Sequence, residues 1–136
     1  IRDPKEIIYS YDKVIKKPEI HDVGVKKQYE LYNDLYKRGI NTIVLDSKYL
    51  LQNPEKILKK LCSLLDIEFD QRMLKWKQGP IQEDGVWSKY WYKNTHNSTS
   101  FLPYSKKNIK LNNNLEKLYL ECLPFYNYLT EKSIKI

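Results

Sequence analysis

Hydrophobic positions in this chain recur mostly at three- and four-residue intervals, the spacing of one face of an α-helix. Ile7, Ile8, Tyr11, Val14 and Ile15 make the first such face, introduced by Asp3, Pro4 and Glu6. Asp accepts hydrogen bonds from the unpaired amides of a first turn, Pro at the first helical position loses no bond, and an acid three residues on completes a capping box. Ile1 and Arg2 are therefore expected at the end of a strand, where open α/β sheets bind their ligands. A second helix is expected from Asp22 or Gly24 to about Arg38, with Val25, Tyr29, Leu31, Tyr32 and Leu35 inward and Gly39 closing it.

The period then changes. Asn41 to Asp46 is a short β-branched run bounded by turn formers, the pattern of a buried parallel strand. A right-handed crossover would return it to the sheet holding Ile1. Asp46 reads as a cap, opening a helical turn through Leu51, and Asn53-Pro54 starts another helix. Ile57, Leu58, Leu61, Cys62, Leu64 and Leu65 give that helix a broad apolar face, expected to cover the sheet. Asp70 caps a short helix through Trp76, and Lys77-Gln78-Gly79-Pro80 breaks the pattern. A last helix runs from Leu111 to about Lys132, with Pro124 expected to kink or end it.

Arg2 and Ser10 are the first residues with candidate chemistry. One lies just outside the first helix and the other about two turns inside it, about 10 Å apart along the axis, a gap an Arg side chain largely closes. A guanidinium fork and a small hydroxyl converging on one spot suit a phosphate. Taken alone, the pair is more often an ion-paired Arg and a Ser tolerated at a helix flank. A second candidate stretch, Trp76 to Phe101, interleaves Trp87, Tyr90, Trp91 and Tyr92 with Lys75, Lys77, Lys89 and Lys93. Such a mixture can stack a nucleobase and hold phosphate, or simply form a flap packed down by its tryptophans.

The order of these stretches resembles a known family. Arg2-Asp3-Pro4 followed by Ser10-Tyr11 is similar to the 3′-phosphate-binding turn of sulfotransferases. Leu61-Cys62, Met73-Leu74-Lys75-Trp76, Gly79-Pro80, Glu83-Asp84-Gly85-Val86-Trp87, Trp91-Tyr92 and Ser98-Thr99-Ser100-Phe101 resemble sulfotransferase-like bacterial proteins often labelled branched-chain aminotransferase-like. The resemblance implies a three-layer α/β fold of the P-loop NTPase type with a parallel sheet. It implies 3′-phosphoadenosine 5′-phosphosulfate as sulfuryl donor and a hydroxyl or amine acceptor of unknown identity, with no metal. It places Arg2, Ser10, Gly85, Trp87 and Lys89 at the donor, the last three by similarity to half of a loop that covers the 3′-phosphate. The Arg-Lys-Gly half of that loop has no counterpart at the same spacing.

The chain contains no Gly-rich phosphate loop and has only four glycines. The resemblance puts that loop and the catalytic base upstream, so residues 1–136 are expected to be the C-terminal part of one such domain, inactive alone. Two other readings stay open: a degenerate member that binds a nucleotide or a partner without transfer, and a P-loop kinase.

Composition changes this picture little. The net charge of +7 invites a nucleic-acid reading, but Lys outnumbers Arg and is spread along the whole chain, which disfavours base readout. No nucleic-acid partner is expected. Nor does any run approach the ~20 apolar residues of a membrane span, and the two cysteines point to a reducing, cytoplasmic location. Cys62 and Cys122 lie in apolar helical patterns and read as free thiols. His21 and His96, far apart and without neighbours at metal-ligand spacing, read as loop residues.

Overall fold

The computed structural model describes residues 1–136. It contains eight α-helices, α1 (Pro4–Tyr11), α2 (Ile20–Val23), α3 (Val25–Lys37), α4 (Ser47–Gln52), α5 (Pro54–Leu64), α6 (Ser88–Trp91), α7 (Lys93–His96) and α8 (Asn113–Lys132), with a 3₁₀ turn at Gln71–Leu74. The chain forms two compact units. One comprises residues 1–49 and 105–135, and the other residues 50–104.

In the first unit, α8 is the central helix, and α1, α2 and α3 all pack on it. Its start is set by Asn112, whose side chain accepts from the amides of Asn114 and Leu115. Leu115, Leu118, Cys122 and Leu129 recur on its inner face and bury against Ile8, Val23, Val25 and Val44. Each such aliphatic side chain contributes about 1.5–3 kcal/mol on burial. Tyr29 of α3 packs its ring 5.2 Å from Phe125 and 5.0 Å from Tyr128, whose hydroxyl donates to Asn33 at 3.2 Å. Gly39 ends α3 at φ 72°, the left-handed conformation that spares it the Cβ clash of other residues. Its amide donates to Tyr36 O and that of Ile40 to Leu35 O, closing the last turn. Pro124 lies inside α8 and does not end it. The missing amide falls opposite exposed Leu120, where water can take the freed carbonyl, while buried positions on both sides hold the helix.

The expected three-layer α/β fold with a parallel sheet is not what the chain adopts. Residues 41–46 are extended, as their β-branched run requires, but they pair one residue at a time. Val44 forms a single parallel bridge to Ser133, with Ile134 N donating to Val44 O at 2.9 Å. On the other side the Ile1 amino group donates to Leu45 O and Ser47 N to Ile1 O. A ladder needs neighbouring strands of several residues, and the sequence contains no second β-branched run to supply one. The chain is therefore helical, without a sheet and without the layers of a P-loop NTPase-type fold. The first helix is also shorter than its apolar spacing implied: it stops at Tyr11, and Val14 is exposed.

The second unit is built on α5. Asn53 caps it from its side chain to Lys56 N, and Pro54 occupies its first turn. Ile57 and Cys62 are buried, and the Cys62 thiol lies 3.9 Å from the Met73 sulfur. Leu64 and Leu65 are half exposed, because the sheet they were expected to cover is not there.

Candidate functional site

The Asp3-Pro4 helix start forms as the sequence predicts, but Ile1 and Arg2 do not end a strand. Asp3 accepts from Lys5 N at 2.8 Å, Pro4 is buried, and Ile8 is fully buried against α8. Glu6 does not return to the cap. Its carboxylate binds the Arg2 guanidinium through Nε at 2.9 Å and Nη2 at 2.7 Å, both on one oxygen. Arg2 is thus held at the surface, 45% exposed, with further N–H groups beyond the two it uses. Ser10 is exposed on the last turn of α1. A cleft of about 180 Å³ beside α3, lined by Leu31, Tyr32, Leu35, Val44 and Leu129, includes neither residue. Asp46, at the end of the extended segment, is fully buried and purely structural in its bonding. One oxygen accepts from Lys48 N and the other from the Tyr126 hydroxyl, each at 2.8 Å. Burial, and then the neighbouring Asp46 carboxylate, push the Tyr126 phenol well above its ordinary range.

Gly85, Trp87 and Lys89 lie in the second unit, on a loop carried by a two-stranded stem. Lys75 and Ser100 form an antiparallel bridge, and Trp76 N donates to Thr99 O at 3.0 Å. The Trp76 indole donates to Ser98 Oγ at 3.2 Å and its ring meets Phe101 edge-on at 5.2 Å. Gly79 N donates to His96 O at 2.8 Å. Beyond that point His96 Nε2 meets Asp84 Oδ2 at 2.7 Å, and the same oxygen accepts from Ile81 N at 3.1 Å. The loop above carries α6 and α7. Trp87 and Tyr90 are both 66% exposed, with ring centroids 6.4 Å apart, and the Lys89 ammonium lies 4.9 Å from the Tyr90 ring. Gly85 has no positive φ, and a Cβ there would meet nothing within 4 Å.

The Asp84–His96 pair is what sequence reading missed. The two residues are twelve apart with no periodic relation, and only the folding back of the stem brings them together. The breakers Gly79-Pro80 and the Asp84-Gly85 step were the available signals. No group of three or more His, Cys, Asp or Glu side chains could hold a metal ion, and no helix is long and apolar enough to cross a membrane.

Two curated plant proteins from Arabidopsis thaliana are similar to this chain. They are "Branched-chain-amino-acid aminotransferase-like protein 1", 40% identical, and "Branched-chain-amino-acid aminotransferase-like protein 2", 37% identical, each over 129 residues and 95% of this chain. The chain spans only 23% of the length of either, so those names describe proteins with far more chain than is matched here. No solved structure matches. The model of the sulfotransferase domain family matches residues 1–133, from the Arg2 turn through the aromatic loop to the end of α8. The chain therefore belongs to the sulfotransferase domain family.

Proposed function

We propose that the protein transfers a sulfuryl group from 3′-phosphoadenosine 5′-phosphosulfate to a hydroxyl or amine acceptor, and that this chain supplies contacts to the donor. Arg2 and Ser10 read its 3′-phosphate, while Gly85, Trp87 and Lys89 cover the nucleotide. The observation that carries this reading is the family match over nearly the whole chain, joined to an exposed Arg and an exposed Ser on the helix that opens it. The Arg2–Glu6 pair does not stand in the way. The Arg2 side chain is 45% exposed and its guanidinium keeps unused N–H groups, and a charge-assisted hydrogen bond to a phosphate is worth about 1.5–3 kcal/mol. A phosphate can therefore engage the free N–H groups of Arg2 while Glu6 keeps its hold on the guanidinium.

Sulfuryl transfer asks for an in-line acceptor, a base for its proton and cations on the departing phosphate, by analogy with phosphoryl transfer. Those groups act at the 5′-phosphosulfate, whereas Arg2 and Lys89 are proposed for the 3′-phosphate end of the donor. No residue of this chain is assigned as the base. Calorimetric titration of the protein with adenosine 3′,5′-bisphosphate and with AMP tests the reading. The bisphosphate binds more tightly if the 3′-phosphate is read, and equal affinities remove the assignment.

A further inference from the structure

The stem of the second unit ends in the one side-chain pair that closes its loop. Below it the rungs are the Lys75–Ser100 bridge, Trp76 N on Thr99 O with the Trp76 indole on Ser98 Oγ, and Gly79 N on His96 O. Above them only the Asp84 carboxylate and the His96 imidazole meet, at 2.7 Å, with side chains 14% and 22% exposed. That carboxylate oxygen also gathers the Ile81 amide, so the 81–84 turn and the end of α7 meet at a single atom. The imidazole is steadied further by the edge-on Tyr92 ring at 5.9 Å and by its own amide on Tyr92 O at 2.7 Å. The enclosed segment, Gly85 to Thr95, has four aromatic residues, two lysines and no acid. Its hydrophobic side chains face outward: Val86 is 78% exposed and Trp87 66%. The α6 and α7 turns order the segment locally, and the Asp84–His96 pair ties it back to the stem.

We propose that Asp84 and His96 are positioning residues, closing residues 85–95 into the shape in which Trp87 and Lys89 receive an anionic nucleotide. The nucleotide part of this role rests on the donor reading given above, whereas the loop-closing part does not. A charge-assisted bond between two mostly buried partners is stronger than an exposed pair and sets a defined geometry. Without it the Gly79–His96 backbone rung still holds the stem, while the 80–95 segment loses its anchor.

The test uses the H96A, D84A, D84N and H96Q variants of the protein, with two measurements on each. Trypsin cleavage after Lys89 and Lys93 without ligand reads the loop, and calorimetry with adenosine 3′,5′-bisphosphate reads the nucleotide. In H96A and D84A cleavage accelerates about tenfold and bisphosphate affinity falls about tenfold, while the melting temperature is unchanged. H96Q, whose side-chain amide donates from the place of Nε2, recovers most of both. D84N keeps an acceptor of the same shape without the charge and falls between. If H96A fails to fold, the order of H96Q and D84N against the wild type decides in its place. Unchanged cleavage in the variants overturns the proposal, as does an H96Q no better than H96A. Faster cleavage in a protein that never binds the bisphosphate keeps the loop-closing role and removes the nucleotide reading instead.

Discussion

The Tyr126 hydroxyl donates to Asp46 Oδ2 at 2.8 Å, across 80 residues of sequence, and joins α8 to the end of the extended segment. Asp46 is completely buried, and its other oxygen is taken by Lys48 N at the start of α4. Tyr126→Phe leaves one buried carboxylate oxygen without a donor. The expected loss is about 1–3 kcal/mol of stability, the desolvation cost of such a group, read from the midpoint of a urea transition. A midpoint equal to the wild type would mean that the hydroxyl does not matter to the fold.

The same region makes the protein sensitive to alkali. Burial, with Glu121 adding to it, pushes the Cys122 thiol from an ordinary value of 9 up to about 11, and Tyr126 is raised for the reasons given above. Both groups keep their protons longer in the folded state than in the unfolded chain. Their contribution is therefore complete below pH 9 and declines as pH rises from 9 towards 11 for the thiol, with the phenol declining further on. Melting temperatures recorded from pH 8 to 11 fall over that window, and the fall is shallower in Cys122→Ser. Titration of the thiolate absorbance should show Cys122 unionised at pH 9 in the native protein.

Gly85 separates a ligand effect from a folding effect. A methyl group there meets nothing, and no left-handed backbone is involved. Gly85→Ala should leave the melting temperature unchanged or raise it by a small amount through the unfolded chain. If the nucleotide lies against this backbone, calorimetry will show weaker binding of adenosine 3′,5′-bisphosphate in the same variant. Unaltered affinity takes Gly85 out of the donor site.

Much of the local structure was legible in the sequence. Asp3, Asn53, Asp70 and Asn112 each cap the element they precede, and Gly39 ends α3, because capping depends on a few adjacent backbone groups. Arg2 and Ser10 were placed correctly relative to α1 for the same reason. What was not legible depended on distant pairing. The β-branched run at 41–46 is extended as expected, but a sheet also needs partner strands, and only Ile1 and Ser133–Ile134 lie beside it. The Arg2–Glu6 pair displaced the capping box, since both reach for the same carboxylate and the guanidinium carries the charge. The Asp84–His96 contact arises only when the stem folds back, so no local pattern announces it.

In the proposed function, Arg2 is the residue on which donor binding depends most in this chain. Arg2→Lys keeps the charge and loses the planar fork, so a bidentate contact with phosphate fails while the helix start, held by Asp3 and Pro4, is untouched. Calorimetry with adenosine 3′,5′-bisphosphate should show binding weaker by about 1.5–3 kcal/mol, with Ser10→Ala costing less, about 0.5–1.5 kcal/mol. The melting temperature of Arg2→Lys should stay near that of the wild type, since Lys keeps a cation beside the Glu6 carboxylate. A variant that melts earlier yet binds the bisphosphate normally would show that Arg2 serves the fold through Glu6 and reads no phosphate.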